Sequence, residues 1–88
     1  MESKNRLLSH LNQLHTTKLG QERIKRNLDI HENDVVPIIK EKMKDKNGKI
    51  YRRGKNWYCE IQNIKITINS NNYCIITAHP MKLKNKKT

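Results

Sequence analysis

Four histidines, His10, His15, His31 and His79, are the side chains of this 88-residue chain best suited to moving protons near neutral pH. Cutting RNA without a metal needs a base for the 2′-hydroxyl, an acid for the departing 5′-oxygen, and cations for the crowded phosphorane. His79 closes an apolar strand-like run. His15 sits between two helical patterns beside Thr16, Thr17 and Lys18. These two are polar positions fixed by neighbouring structure, whereas His10 falls within a helical pattern and His31 in a polar connection. Arg23, Lys25 and Lys55 are cations within reach of such a site. The same histidines have plainer uses, since imidazole also caps helices and bonds to backbone at sheet edges.

The elements that must position these groups centre on Lys55–Pro80. Tyr58–Ile61 and Ile64–Ile68 alternate apolar and polar residues at period two, as strands with one buried face do. Gln62-Asn63 and Asn69–Asn72 are the turns between them, where Asn tolerates left-handed backbone. A short strand over Ile50–Arg53 and a turn at Gly54-Lys55 complete a four-stranded antiparallel meander. Before it, Leu7, Leu8, Leu11 and Leu14 predict a first helix over Glu2–Leu14. Thr16 or Thr17 caps a second at about Lys18–Leu28, with Leu19, Ile24 and Leu28 inward. Asn33 or Asp34 caps a third, with Pro37 in its first turn and Val35, Val36, Ile38, Ile39 and Met43 toward the core. The expectation is an α+β domain over residues 1–80, three N-terminal helices packed on one face of the meander, followed by a basic, fraying tail at 81–88.

Alternation assigns the faces. Trp57, Cys59, Ile61, Ile64, Ile66 and Ile68 should point to the helices. In the last strand the adjacent Ile75 and Ile76 make the phase ambiguous, and Cys74, Ile76 and Ala78 are placed inward. The open face would then carry Tyr58, Glu60, Lys65, Thr67, Tyr73, Ile75, Thr77 and His79, with Arg52 or Arg53 nearby.

Nineteen basic against eight acidic residues, a net charge of +11, point to a polyanion partner, with nucleic acid ahead of an anionic membrane. A Lys-rich solvated surface is the bland alternative. Exposed tyrosines such as Tyr58 and Tyr73 suit stacking of unpaired bases. Lys25, Arg26, Arg52, Arg53, Lys55 and Lys65 suit phosphates, the Arg52–Lys55 turn through side chains and free N–H groups alike. Cys59 and Cys74 lack metal-ligand spacing, so no zinc site and no cofactor are expected, and two free thiols fit a reducing cytoplasm. No apolar run is long enough to span a membrane. Gly20 does not fall in a turn between two helices, which argues against a helix-turn-helix regulator.

Three stretches together, HTTKLGQERIKRNL (His15–Leu28), RGKNWYCEI (Arg53–Ile61) and ITINSNNYCIITAH (Ile66–His79), resemble the signature segments of a small family from Gram-positive bacteria and their phages. That family is known only as a domain of unknown function. Its second stretch reads KGKNWY, so Arg53 is a departure. The order of helices and sheet also resembles, at the level of fold, the barnase–colicin–RelE-like ribonucleases, many of them toxins. That resemblance implies a catalytic set with His15, Lys18 and Arg23 from the helices and His79 and Thr77 from the sheet.

Three readings follow. The first is a small metal-independent ribonuclease of toxin type, acting on tRNA or mRNA and held in check by an antitoxin. A non-catalytic RNA- or DNA-binding module would use the same basic face. A phage or mobile-element protein that binds and inhibits a host protein is the third.

Overall fold

The computed structural model describes residues 7–81. Two α-helices, α1 (Lys18–Leu28) and α2 (Val36–Met43), precede four strands: β1 (Lys49–Arg53), β2 (Asn56–Ile61), β3 (Ile64–Asn69) and β4 (Ile75–Pro80). The strands form one antiparallel sheet in the order β1-β2-β3-β4. The α+β architecture and the meander are therefore as expected.

Three helices are not. Among the described residues there are two α-helices, and the predicted Glu2–Leu14 helix is not continuous. Residues 2–6 of it lie outside the described residues, as does the tail at 82–88. Leu7 and Leu8 have helical backbone, followed by a turn and a single 3-10 turn at Leu11–Gln13. Leu14 is already extended, at φ −65° and ψ 136°. The physical reason lies one residue further on. His15 N–H donates to the Tyr73 carbonyl, and the His15 carbonyl accepts from Ile75 N–H at 2.7 Å. An extended chain is needed to make this parallel bridge beside Cys74. The leucine spacing survives as burial: Leu7 and Leu14 are in the core and Leu11 lies against it.

Helix α1 starts at Thr17, whose hydroxyl accepts from Gly20 N–H at 3.0 Å and satisfies one of the first-turn donors. Gly20 is buried, and a Cβ there would lie 2.4 Å from Thr16 Oγ1 and 3.6 Å from the Ile75 carbonyl. The missing side chain lets the helix settle onto β4 along Gly20 and Ile24. Leu19 is turned out as a result and is 68% exposed, not inward as its helical spacing suggested. Thr16 Oγ1 donates to the Ile75 carbonyl and Asn27 Nδ2 to the Ala78 carbonyl, so side chains cover the outer edge of β4. Helix α2 buries Ile39 and Met43, and Val35 just before it, at one-turn spacing. Val35, and neither Asn33 nor Asp34, holds the cap position; Asp34 accepts from Val36 N–H from just outside the helix.

Both short hairpins use the backbone their sequences allow. Gly54 has φ +64°, the positive value a type II′ turn needs at its first central residue. Gln62 and Asn63 are both positive, at 54° and 67°, as in type I′. In the β3–β4 connection Tyr73, and none of the asparagines before it, takes the left-handed conformation, with φ 59°.

The phase of β4 also differs from the expected one. Thr67 pairs with Thr77 but Ile68 pairs with Ile75, which leaves Ile76 as the extra residue of a β-bulge. Ile75 is therefore 1% exposed in the core and Ile76 is 38% exposed. Inward Ile66 faces inward Ala78, while outward Lys65 faces outward His79. Cys74 precedes the strand and is half-buried, and Tyr73 lies in the turn.

Candidate nucleic-acid interface

The helices, with Leu7 and Leu14, form one core with the inward residues Trp57, Cys59, Ile61, Ile66, Ile68 and Ile75. Among the described residues, no helix or strand packs on the other face of the sheet. Register then fixes which side chains share it, because directly opposed residues in an antiparallel pair point the same way. One row is Lys49, Glu60, Lys65 and His79 across all four strands. Beside it run Tyr51, Tyr58, Thr67 and Thr77, and then Arg53, Asn56 and Asn69. Neighbouring strands place members of a row about 4.8 Å apart.

The tyrosines occupy the β1–β2 end of the middle row. Tyr51 and Tyr58 stack with ring centroids 5.6 Å apart and an interplanar angle of 27°. Lys65 Nζ lies 5.1 Å from the Tyr58 ring, and the Arg53 guanidinium 5.9 Å from that of Tyr51. Such cation–ring contacts hold charges at the edges of an aromatic platform. Tyr51 OH donates to Glu60 Oε2 at 2.8 Å, and Asn56 Nδ2 donates to Tyr58 OH at 3.3 Å. The bond to Glu60, followed by burial, raises the Tyr51 phenol above its ordinary pKa, so it remains a hydrogen-bond donor well past neutral pH. Glu60 is the one carboxylate in these rows, among Lys49, Arg53, Lys65 and His79.

Of the residues the sequence singles out, Arg53, Tyr58, Lys65, Thr77 and His79 meet on this face. Others do not. Arg52 pairs with Trp57 and so points to the helix side, its guanidinium 5.5 Å from the indole ring. Lys55 is exposed at the β1–β2 hairpin tip. Lys18, Arg23, Lys25 and Arg26 belong to α1. Tyr73 stacks its ring on His10, with centroids 5.1 Å apart, and packs against the core.

His15 and His79 are kept apart. His15 bridges to Cys74 at the start of β4 and His79 lies further along that strand, about 13 Å away at about 3.3 Å per residue with the bulged Ile76 adding no rise. Their near ring atoms bond locally, His15 Nδ1 with the Gln13 carbonyl and His79 Nδ1 with the Pro80 carbonyl. An acid and a base serving one phosphate must both reach it, and this pair is too widely separated. Cys59 offers no alternative nucleophile. It faces the core, and burial pushes its thiol up to about 12. Among the described residues, no group of three His, Cys, Asp or Glu side chains could hold a metal ion. Nor is any helix there long and apolar enough to cross a membrane.

Sequence reasoning overlooked Tyr51 and Lys49. The signal was the hairpin itself: a two-residue Gly54-Lys55 turn opposes Arg53 to Asn56, hence Tyr51 to Tyr58 and Lys49 to Glu60.

No curated protein and no solved structure is matched by this chain. The profile of one family, described as a protein of unknown function (DUF3781), matches residues 8–79, which takes in both helices, all four strands but for the last residue of β4, and every residue of the three rows. The chain belongs to the DUF3781 family.

Proposed function

We propose that the protein binds single-stranded RNA across the open face of its sheet. The observation that carries this reading is the stacked pair Tyr51 and Tyr58 on the β1–β2 half of that face, with Arg53 and Lys65 against their rings. Unpaired bases stack on aromatic faces, a contact worth about 1–3 kcal/mol per base. Lys49, Arg53 and Lys65 surround the rings at the spacing of neighbouring strands and neutralise phosphates. Half-buried Thr77, Asn56 and Asn69 offer short polar groups for a ribose 2′-hydroxyl, which favours RNA over DNA. Loops of tRNA or mRNA have the splayed bases that such a surface accepts. Cleavage by a His15–His79 pair is not part of this reading, given the strand length between them.

Fluorescence anisotropy with labelled seven-nucleotide RNA tests it. If Lys49, Arg53 and Lys65 each neutralise one phosphate, log K should fall with log salt at a slope of about −2. Single-stranded DNA of the same sequence should bind more weakly, and duplex RNA more weakly still. Tighter binding to duplex, or no saturable binding at low salt, would exclude the reading.

A further inference from the structure

A pocket of about 430 Å³ opens at the β1 side of the open face, lined by Lys49, Tyr51, Arg53 and Glu60. It contains a carboxylate, two cations and an aromatic ring, and is large enough to take one base. We infer that this pocket selects guanine in single-stranded RNA, an inference that rests on the RNA-binding reading above.

The donor and acceptor pattern of the bases distinguishes them at a carboxylate. Guanine presents two adjacent donors, N1–H and the 2-amino group, next to the O6 acceptor. A carboxylate accepts from both donors at once, as it does from a guanidinium fork. Adenine and cytosine each turn a bare ring-nitrogen lone pair toward the carboxylate beside a single amino group. Uracil has one N–H between two carbonyls. Only guanine therefore matches Glu60 with two bonds and no repulsion.

The rest of the pocket fits the same base. Lys49 directly opposes Glu60 in the β1–β2 register and lines the same pocket, so its flexible side chain can bring an ammonium to O6. Tyr51 OH holds Glu60 Oε2 at 2.8 Å, which fixes the carboxylate in one orientation and leaves its remaining lone pairs for the base. The Arg53 guanidinium, 5.9 Å from the Tyr51 ring, adds a second cation to the pocket wall.

Seven-nucleotide uridine RNAs with guanosine, adenosine, inosine or 1-methylguanosine at the centre test this by fluorescence anisotropy. Guanosine should bind roughly 10-fold tighter than adenosine or all-uridine RNA, the order expected of one bidentate base contact. Inosine, without the 2-amino group, should lose most of that preference, and 1-methylguanosine all of it. Glu60→Gln should bring the guanosine-to-adenosine ratio to about one. The same variant should tighten all-uridine binding, since a carboxylate leaves a polyanion site. Equal affinity for the four RNAs, with binding still dependent on Tyr51 and Tyr58, would overturn guanine selection and leave the RNA reading standing. Binding of none of them, or binding indifferent to both tyrosines, would overturn both. The modified bases need no protein variant, so a folding defect in Glu60→Gln cannot obscure the result.

Discussion

Replacing Tyr51 and Tyr58 together with Ala is expected to weaken single-stranded RNA binding about 100-fold, from the stacking of two bases at 1–3 kcal/mol each. Both rings lie half-buried on the open face, outside the core formed with the helices. Losing their cross-strand stack should cost stability only about 1 kcal/mol or less. The double variant should therefore remain folded, with a cooperative urea transition and nearly unchanged far-ultraviolet circular dichroism. The informative comparison is Tyr73→Ala. That ring packs on His10 beside the core, away from the rows, and its removal should lower stability more than RNA affinity. Titrations of the three proteins against the same RNA decide the matter. If Tyr73→Ala loses as much affinity as the double variant while remaining folded, the platform has been placed on the wrong surface.

The second large effect separates two adjacent isoleucines. Ile75→Glu would put a carboxylate at a position 1% exposed, opposite Ile68 and beneath α1. Burying a charge there costs several kcal/mol, comparable with the whole stability of a domain this small. Ile76→Glu places the same group at the bulge, where the side chain is 38% exposed, and should change stability by about 0.5 kcal/mol or less. Urea denaturation of both variants measures the difference. An unfolded Ile76→Glu beside a stable Ile75→Glu would mean that β4 has the opposite phase, and would displace Thr77 and His79 from the open face.

That pair of residues also shows where sequence reasoning stopped. Period-two alternation in Trp57–Ile61 and Ile64–Ile68 placed β2 and β3 and their faces, because a strand with one buried side leaves no other pattern. Gln62-Asn63 and Gly54-Lys55 announced tight turns through residues that tolerate positive φ. Thr17 announced a helix start. Ile75-Ile76 breaks the alternation, and nothing local says which of the two is the extra residue. Pairing with Thr67 and Ile68 decides it, and that is tertiary information.

The other misses have the same origin. Leucines at 7, 8, 11 and 14 read as one helix, yet the chain is drawn out by His15 bonding to the edge of β4. Leu19 has helical spacing with Ile24, but Gly20 sets the line of contact and leaves Leu19 in solvent. For the candidate site, polar character was legible at His15 and His79, whereas the length of strand between them was not. Arg52 and Arg53 looked equivalent as a basic pair, and strand alternation sends them to opposite faces. Tyr51 became visible as half of a stacked pair only once the hairpin register was known.

Titrating 15N-labelled protein with seven-nucleotide single-stranded RNA, and following the backbone amide resonances, locates the RNA-binding surface residue by residue. Binding across the open face should place the largest shifts on Tyr51, Tyr58, Lys65 and Thr77, with Lys25 and Arg26 of α1 nearly still. Shifts concentrated on α1, or none at saturating RNA and low salt, would contradict it.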